Sequence, residues 1–234
     1  MASSLEEARS VEARVGVWPI KHLERLGVLG PKLLLTHCTA VTDEDVELLA
    51  ATDTKVAFCP GAALRLAKGT TRIGKIPEML ARGVTVSIGA DGVSSSGTFD
   101  HLRLAGLVAG LFKDARMDPS LVPAEKALEM VTRDGAKALL WDNAIGSIEI
   151  GRNADLVQYD MSGPEWSPVH DVVRNLVYCA DGRSVRNVII DGSVAVRERQ
   201  VRCADERGRR RLLGAKEITS PGRSRHSRRP KHSG

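Results

Sequence analysis

Two stretches decide the reading of this chain: Lys32-Leu-Leu-Leu-Thr-His37-Cys38 and Val84-Thr-Val-Ser-Ile-Gly-Ala-Asp91-Gly92. Each is a short apolar run of the length and composition of a strand buried on both faces. Each ends on a residue able to bind a metal or move a proton. In a barrel of parallel strands all C-terminal strand ends open on one mouth, so His37 and Asp91 are expected to face a common site. A carboxylate beside an imidazole suits a divalent metal that acidifies a water molecule, which points to metal-assisted hydrolysis. Taken singly, each residue also has a plain structural explanation: a strand-end histidine bonded to backbone, and an aspartate capping the next turn.

The segments around these ends alternate as strands and helices. Strands are expected at about 32–38, 55–59 and 84–90, with helices at about 43–52 and 74–82 between them and a loop at 61–72. Thr42 with Asp45 three residues on is an approximate capping box for the first of those helices. Upstream, Glu6 to Leu26 reads as a helix interrupted near Gly16 and Pro19. Downstream, helices are expected at about 99–112 and 123–139, the second opened by Pro123. This βαβα alternation is the pattern of a parallel sheet wrapped by helices. Beyond Gly146 the texture changes to short β-runs at Leu156–Tyr159, Asn175–Cys179, Val185–Ile190 and Val194–Val196, separated by turns such as Asp181-Gly182 and Asp191-Gly192.

The ordered series of motifs resembles the amidohydrolase superfamily, in its branch of methylthioadenosine/S-adenosylhomocysteine deaminases and triazine chlorohydrolases. Thr36-His37-Cys38 followed by Thr42-Asp-Glu-Asp-Val-Glu-Leu-Leu-Ala50 is similar to that family's sixth strand and helix. Val56-Ala-Phe-Cys-Pro60, Leu64-Arg-Leu-Ala-Lys-Gly69 and Ile76-Pro-Glu-Met-Leu-Ala-Arg-Gly83 resemble the seventh strand, its loop and its helix, and Ser87-Ile-Gly-Ala-Asp-Gly92 the eighth strand. Ile145-Gly-Ser-Ile-Glu-Ile-Gly-Arg-Asn-Ala-Asp-Leu-Val157 resembles the exit from the barrel into a small β-domain. The likeness runs from about residue 10 to residue 201.

The resemblance implies an α/β fold: the C-terminal part (strands six to eight) of a TIM-type (β/α)8 barrel, followed by a small β-sandwich-like domain. It implies a partial barrel over 1–145, the β-domain over 146–203 and a basic, disordered tail over 204–234. By the same resemblance Asp91 is a ligand of Zn²⁺ or Fe²⁺ that also takes a proton from the attacking water. His37 is catalytic and substrate-binding, beside the ring under attack. The activity implied is hydrolysis of a C–N bond (deamination) or a C–Cl bond of a small heterocyclic substrate. Phe58 or Cys59 is expected on the wall between His37 and Asp91.

The departures from the family pattern are as informative. The six histidines are His22, His37, His101, His170, His226 and His232, and none forms a His-x-His pair. Register places the family's fifth-strand metal histidine just before Met1. The acidic substrate-binding residue that follows it would fall near Ser3 or Ser4, with Glu6 and Glu7 close but out of register. Where many members read His-Asn-Pro-x-Ser-Asn-Leu, this chain has Phe58-Cys-Pro-Gly-Ala-Ala-Leu64, an exchange of polar for apolar contacts that weighs against a purine nucleoside. The 234 residues fall short of the roughly 250 of a complete barrel, so a C-terminal portion is expected. The alternative is a catalytically inactive fragment that lacks the His-x-His and fifth-strand ligands.

Composition narrows the remaining classes. The net charge of +5 is misleading, because ten basic and three acidic residues from Asp205 onward carry +7 and leave the rest at −2. The Arg-rich tail lacks interleaved aromatics or a nucleic-acid motif, so nucleic acid is not the expected partner. No stretch approaches the 18 or so apolar residues of a membrane span. Without a secretory n-region or h-region at Met1-Ala-Ser-Ser, the four cysteines read as reduced thiols of a cytoplasmic protein. An oligomer is left open.

Overall fold

A computed structural model describes residues 2–202. The tail expected at 204–234 lies outside the described residues, as does Cys203. The chain opens with α1 (Leu5–Val15), whose N-cap Ser4 accepts a hydrogen bond from the Glu7 backbone N–H and whose end is closed by left-handed Gly16. Pro19 then starts α2 (Pro19–Arg25) at its first turn, which explains the interruption read in the sequence. Next come β1 (Leu34–Thr36), α3 (Asp43–Ala51), β2 (Lys55–Phe58), α4 (Pro60–Arg65), α5 (Thr70–Ile73), α6 (Ile76–Ala81) and β3 (Val86–Ile88). The capping box of α3 is complete, with Thr42 N–H donating to Asp45 at 2.9 Å and Asp45 N–H donating to Thr42 at 3.1 Å.

The three strands pair in parallel in the order β1-β2-β3. Register aligns Leu35 with Val56 and Val56 with Val86 in one row, and Thr36 with Ala57 and Ala57 with Ser87 in the next. Because successive side chains alternate between faces, these rows look in opposite directions. The first row, with Phe58 and Ile88, is buried under the helices, where the Phe58 and Phe112 rings meet at 6.2 Å between centroids. The second row carries smaller and more polar groups and stays partly open: Thr36 is exposed and Ala57 half-buried. Leu34, Ala57 and Ser87 line a cavity of about 680 Å³ on that side.

After β3 follow α7 (Val93–Ser96), α8 (His101–Arg116), α9 (Ala124–Val131) and α10 (Arg133–Ala138). Asp100 caps α8 by accepting from the N–H groups of Leu102 and Arg103, and Leu104, Ala105, Val108, Ala109 and Phe112 form its buried stripe. The helix read at 123–139 is two helices, divided at Thr132 (φ −123, ψ −94). The loop expected at 61–72 is largely helical as well, since Pro60 opens α4 and left-handed Gly69 opens α5.

Beyond residue 146 the chain forms β4 (Leu156–Tyr159), α11 (Val172–Tyr178), β5 (Val185–Ile190), β6 (Ser193–Arg197) and β7 (Gln200–Val201), with antiparallel pairing in the order β4-β5-β6-β7. The β-run expected at Asn175–Cys179 is instead helix α11. Asp171 caps it by accepting from the Arg174 N–H at 2.9 Å, and Val177 is buried against the barrel-side helices. A tertiary surface at helical spacing thus overrides the β-propensity of a Leu-Val-Tyr run. The described residues build one antiparallel sheet rather than the two layers of a sandwich.

Candidate active site

His37 and Asp91 occupy the positions just past the C-terminal ends of β1 and β3. The ladder carries on to them: the His37 N–H donates to the Ala57 carbonyl at 2.9 Å, and the Gly89 N–H to the Phe58 carbonyl at 2.8 Å. There the backbone turns sharply. His37 (φ 72), Cys38 (φ 49) and Asp91 (φ 60) all sit in the left-handed region although none is glycine. Such conformations cost about 1–2 kcal/mol each and persist where surrounding packing over-determines them. Their effect is to lift both side chains off the strand direction and bring them together.

The His37 Nε2 and Asp91 Oδ2 atoms are 3.9 Å apart, with side chains 25% and 31% exposed. That distance is too long for a hydrogen bond. The other carboxylate oxygen, Oδ1, accepts from the Gly92 backbone N–H at 2.6 Å, which fixes the carboxylate and leaves Oδ2 toward the imidazole. Burial depresses the His37 pKa below its ordinary value, while the Asp91 charge opposes that shift. The imidazole is therefore neutral at neutral pH, with one nitrogen free to accept.

The pair shares a small cavity of about 70 Å³ with Ser3, Thr39, Ala62, Ala63, Leu66 and Lys68. Neither Phe58 nor Cys59 lines it, contrary to the expectation. Phe58 belongs to the row that packs on α8, and Cys59 is drawn beneath Gly89, where a Cβ would stand 3.1 Å from its sulfur. Ala62 and Ala63 of α4 form the apolar wall instead. Burial, with Asp91 nearby, raises the Cys59 thiol to about 11, and burial raises Cys38 to about 12. Both are uncharged thiols at neutral pH.

Sequence reasoning pointed to the two strand ends, and the structure brings them together. It did not find Lys68, which reaches the cavity from the α4–α5 connection, and it named Ser3 only as the place of an expected acid. His22 lies elsewhere, in an apolar cavity between α1, α2 and β1. His101, beside β4 and α10, lines the 680 Å³ cavity. Among the described residues, no group of three or more His, Cys, Asp or Glu side chains could hold a metal ion. No described helix is long and apolar enough to cross a membrane.

Comparison with known proteins gives this geometry a context. Residues 2–195 match the amidohydrolase family. A 5-methylthioadenosine/S-adenosylhomocysteine deaminase of Moorella thermoacetica is 39% identical over 205 residues, which are 88% of this chain and 47% of that protein. One from Haloarcula marismortui is 36% identical over 204 residues, covering 86% and 45%. Among solved structures, an adenosine deaminase from Xanthomonas campestris with bound zinc superposes with a TM-score of 0.86 at 30% identity, covering 92% of this chain and 48% of the other. An atrazine chlorohydrolase from Arthrobacter aurescens, complexed with zinc, gives 0.78 at 25% identity, covering 90% and 46%. The chain spans about half the length of the relatives it matches. With a family match that spans residues 2–195 of the 234, the chain belongs to the amidohydrolase family.

Proposed function

We propose that this chain is the C-terminal portion of a metal-dependent hydrolase that cleaves a C–N bond (by deamination) or a C–Cl bond of a small heterocyclic substrate. The observation that carries the reading is the convergence of His37 and Asp91, 3.9 Å apart past two parallel strand ends, in a chain of this family. In this reading β1, β2 and β3 are strands six, seven and eight of the barrel. The chain then divides into a barrel portion over 1–145, a small β-domain over 146–203 and a basic tail over 204–234, in a cytoplasmic protein.

The donor chemistry suits zinc in part. Asp91 is the metal ligand and His37 its neighbour, but catalytic zinc needs about three protein ligands, so the described residues do not complete the site. Zinc, when bound, lowers the pKa of a water molecule toward neutrality. The chain's own contributions are separate from that. Asp91 Oδ2 accepts the proton of the attacking water. Neutral His37 hydrogen-bonds the ring nitrogen or leaving group at the carbon under attack. Ala62, Ala63 and Leu66 exclude water from one side of the site.

The test joins this chain to the remainder of the Moorella thermoacetica relative and supplies zinc. Release of ammonia from 5-methylthioadenosine, or of chloride from atrazine, that disappears on chelation supports the proposal. A soluble, zinc-loaded protein that hydrolyses neither class of heterocycle overturns it. The second reading, an inactive chain, is favoured by the absence of any His-x-His pair from the sequence. Failure of the fusion to bind zinc would decide for it.

A further inference from the structure

Lys68 is the only cation among the described residues lining the cavity that holds His37 and Asp91. Its place is fixed by backbone. Ala67 (φ 51) and Gly69 (φ 79) on either side are left-handed, and the Lys68 N–H donates to the Ala63 carbonyl at 2.9 Å. The side chain is 23% exposed. An ammonium carries three donors, and among the described residues Lys68 has one side-chain partner, Glu7 Oε1, at a long 3.4 Å.

Glu7 is itself held elsewhere. Its Oε2 accepts from both the N–H and the Oγ of Ser3, at 2.7 and 2.9 Å. These bonds, that to the Ser3 N–H first, depress the Glu7 pKa below its ordinary value, so the carboxylate is a fixed charge. Ser3 and Glu7 thus form a bracket that steadies the ammonium without using up its donors. Lys68 also lies close enough to His37 to help push the imidazole toward its neutral form.

We propose that Lys68 determines specificity at this site by pairing with an anionic substituent, such as a carboxylate, on the heterocyclic substrate. The proposal rests on the hydrolase reading above. The cavity of about 70 Å³ has room for such a substituent. Lys68 attracts the anion, which orients the ring with its substituent at Lys68 and its reacting carbon toward Asp91 and His37. A charge-assisted bond to a partly buried ammonium also discriminates against a neutral isostere, which leaves the ammonium, among the described residues, only its long bond to Glu7.

The experiment uses this chain and two isosteric probes, nicotinate and nicotinamide, whose binding is followed by ligand-observed NMR at two salt concentrations. Nicotinate is expected to bind about fivefold more tightly, as a worthwhile ion pair of about 1 kcal/mol implies, with the preference shrinking at high salt. Lys68→Met should abolish the preference and Lys68→Arg should retain it, with circular dichroism unchanged in both. A preference that survives Lys68→Met, equal binding of the two probes, or binding of neither overturns the proposal and leaves the hydrolase reading standing. Loss of the preference in Lys68→Met with both probes indifferent to His37→Ala and Asp91→Asn would instead detach the anion subsite from the reacting pair, and so count against the reading on which it rests.

Discussion

At the N-terminal end of β2, Lys55 is almost wholly buried, and its ammonium donates to the Pro31 carbonyl at 2.7 Å, the Asp53 carbonyl at 3.0 Å and the Asp53 carboxylate at 2.8 Å. Nearby, Thr54 Oγ1 accepts from the Gly30 N–H and pairs with Thr52 Oγ1. At the opposite end of the same sheet, His37 and Asp91 stand partly exposed on left-handed backbone, at a separation that leaves them short of a hydrogen bond. One end has its polar groups satisfied by the fold itself. The other holds polar groups apart and keeps them for something else. Barrels of parallel strands separate stability from chemistry in this way, one to each end.

The contrast can be broken by substitution at either end. The largest effect is expected at the C-terminal ends: in the zinc-loaded fusion, Asp91→Asn should lower kcat/KM at least about 100-fold, since an amide cannot take a proton from water. The same substitution should leave the urea midpoint of this chain nearly unchanged, and retained turnover would remove Asp91 from the reaction. At the other end, Lys55→Met should lower unfolding free energy by about 2 kcal/mol by stranding the Pro31 and Asp53 carbonyls, measured by urea titration. A loss there with altered probe binding at the cavity would show that the two ends are coupled.

Two smaller effects sharpen the comparison. Thr42→Ala removes the cap of α3 and should cost about 1 kcal/mol, again by urea titration, with no change at His37. His37 should titrate below the ordinary histidine range by NMR, and Asp91→Asn should move it lower still, because the carboxylate is what opposes the burial shift. The sign for stability follows. With its folded pKa depressed, His37 binds fewer protons in the folded than in the unfolded state across that window. Its contribution is present above the ordinary histidine value and is lost as pH falls from there through the lower folded-state value.

The three strands and the pairing of His37 with Asp91 were legible because apolar runs ending on polar residues carry both strand position and direction. Helix α11 was not read, although Asp171 offered a cap, because Leu176-Val-Tyr178 has the composition of a strand and only its docking on α8 and α9 decides otherwise. Helix α4 had its signal in Pro60 at the first turn, which went unused. Lys68 had no local signal at all. Its role depends on Ser3 and Glu7, some 60 residues away, and such pairings are set by tertiary structure. Nor did the sequence announce left-handed backbone at His37, Cys38 and Asp91, since nothing in those residue types requires it.

Strand order in the parallel sheet follows chain order, β1 then β2 then β3. Each strand therefore pairs with the one made just before it on the ribosome, across α3 in the first step and α4 to α6 in the second. Loop-closure cost grows slowly, about 0.6 kcal/mol per doubling of length, so such neighbour-to-neighbour pairings are within reach of a growing chain. The His37–Asp91 constellation then spans the whole sheet, since it joins the end of the first strand to that of the third across β2 and exists only once both pairings are made.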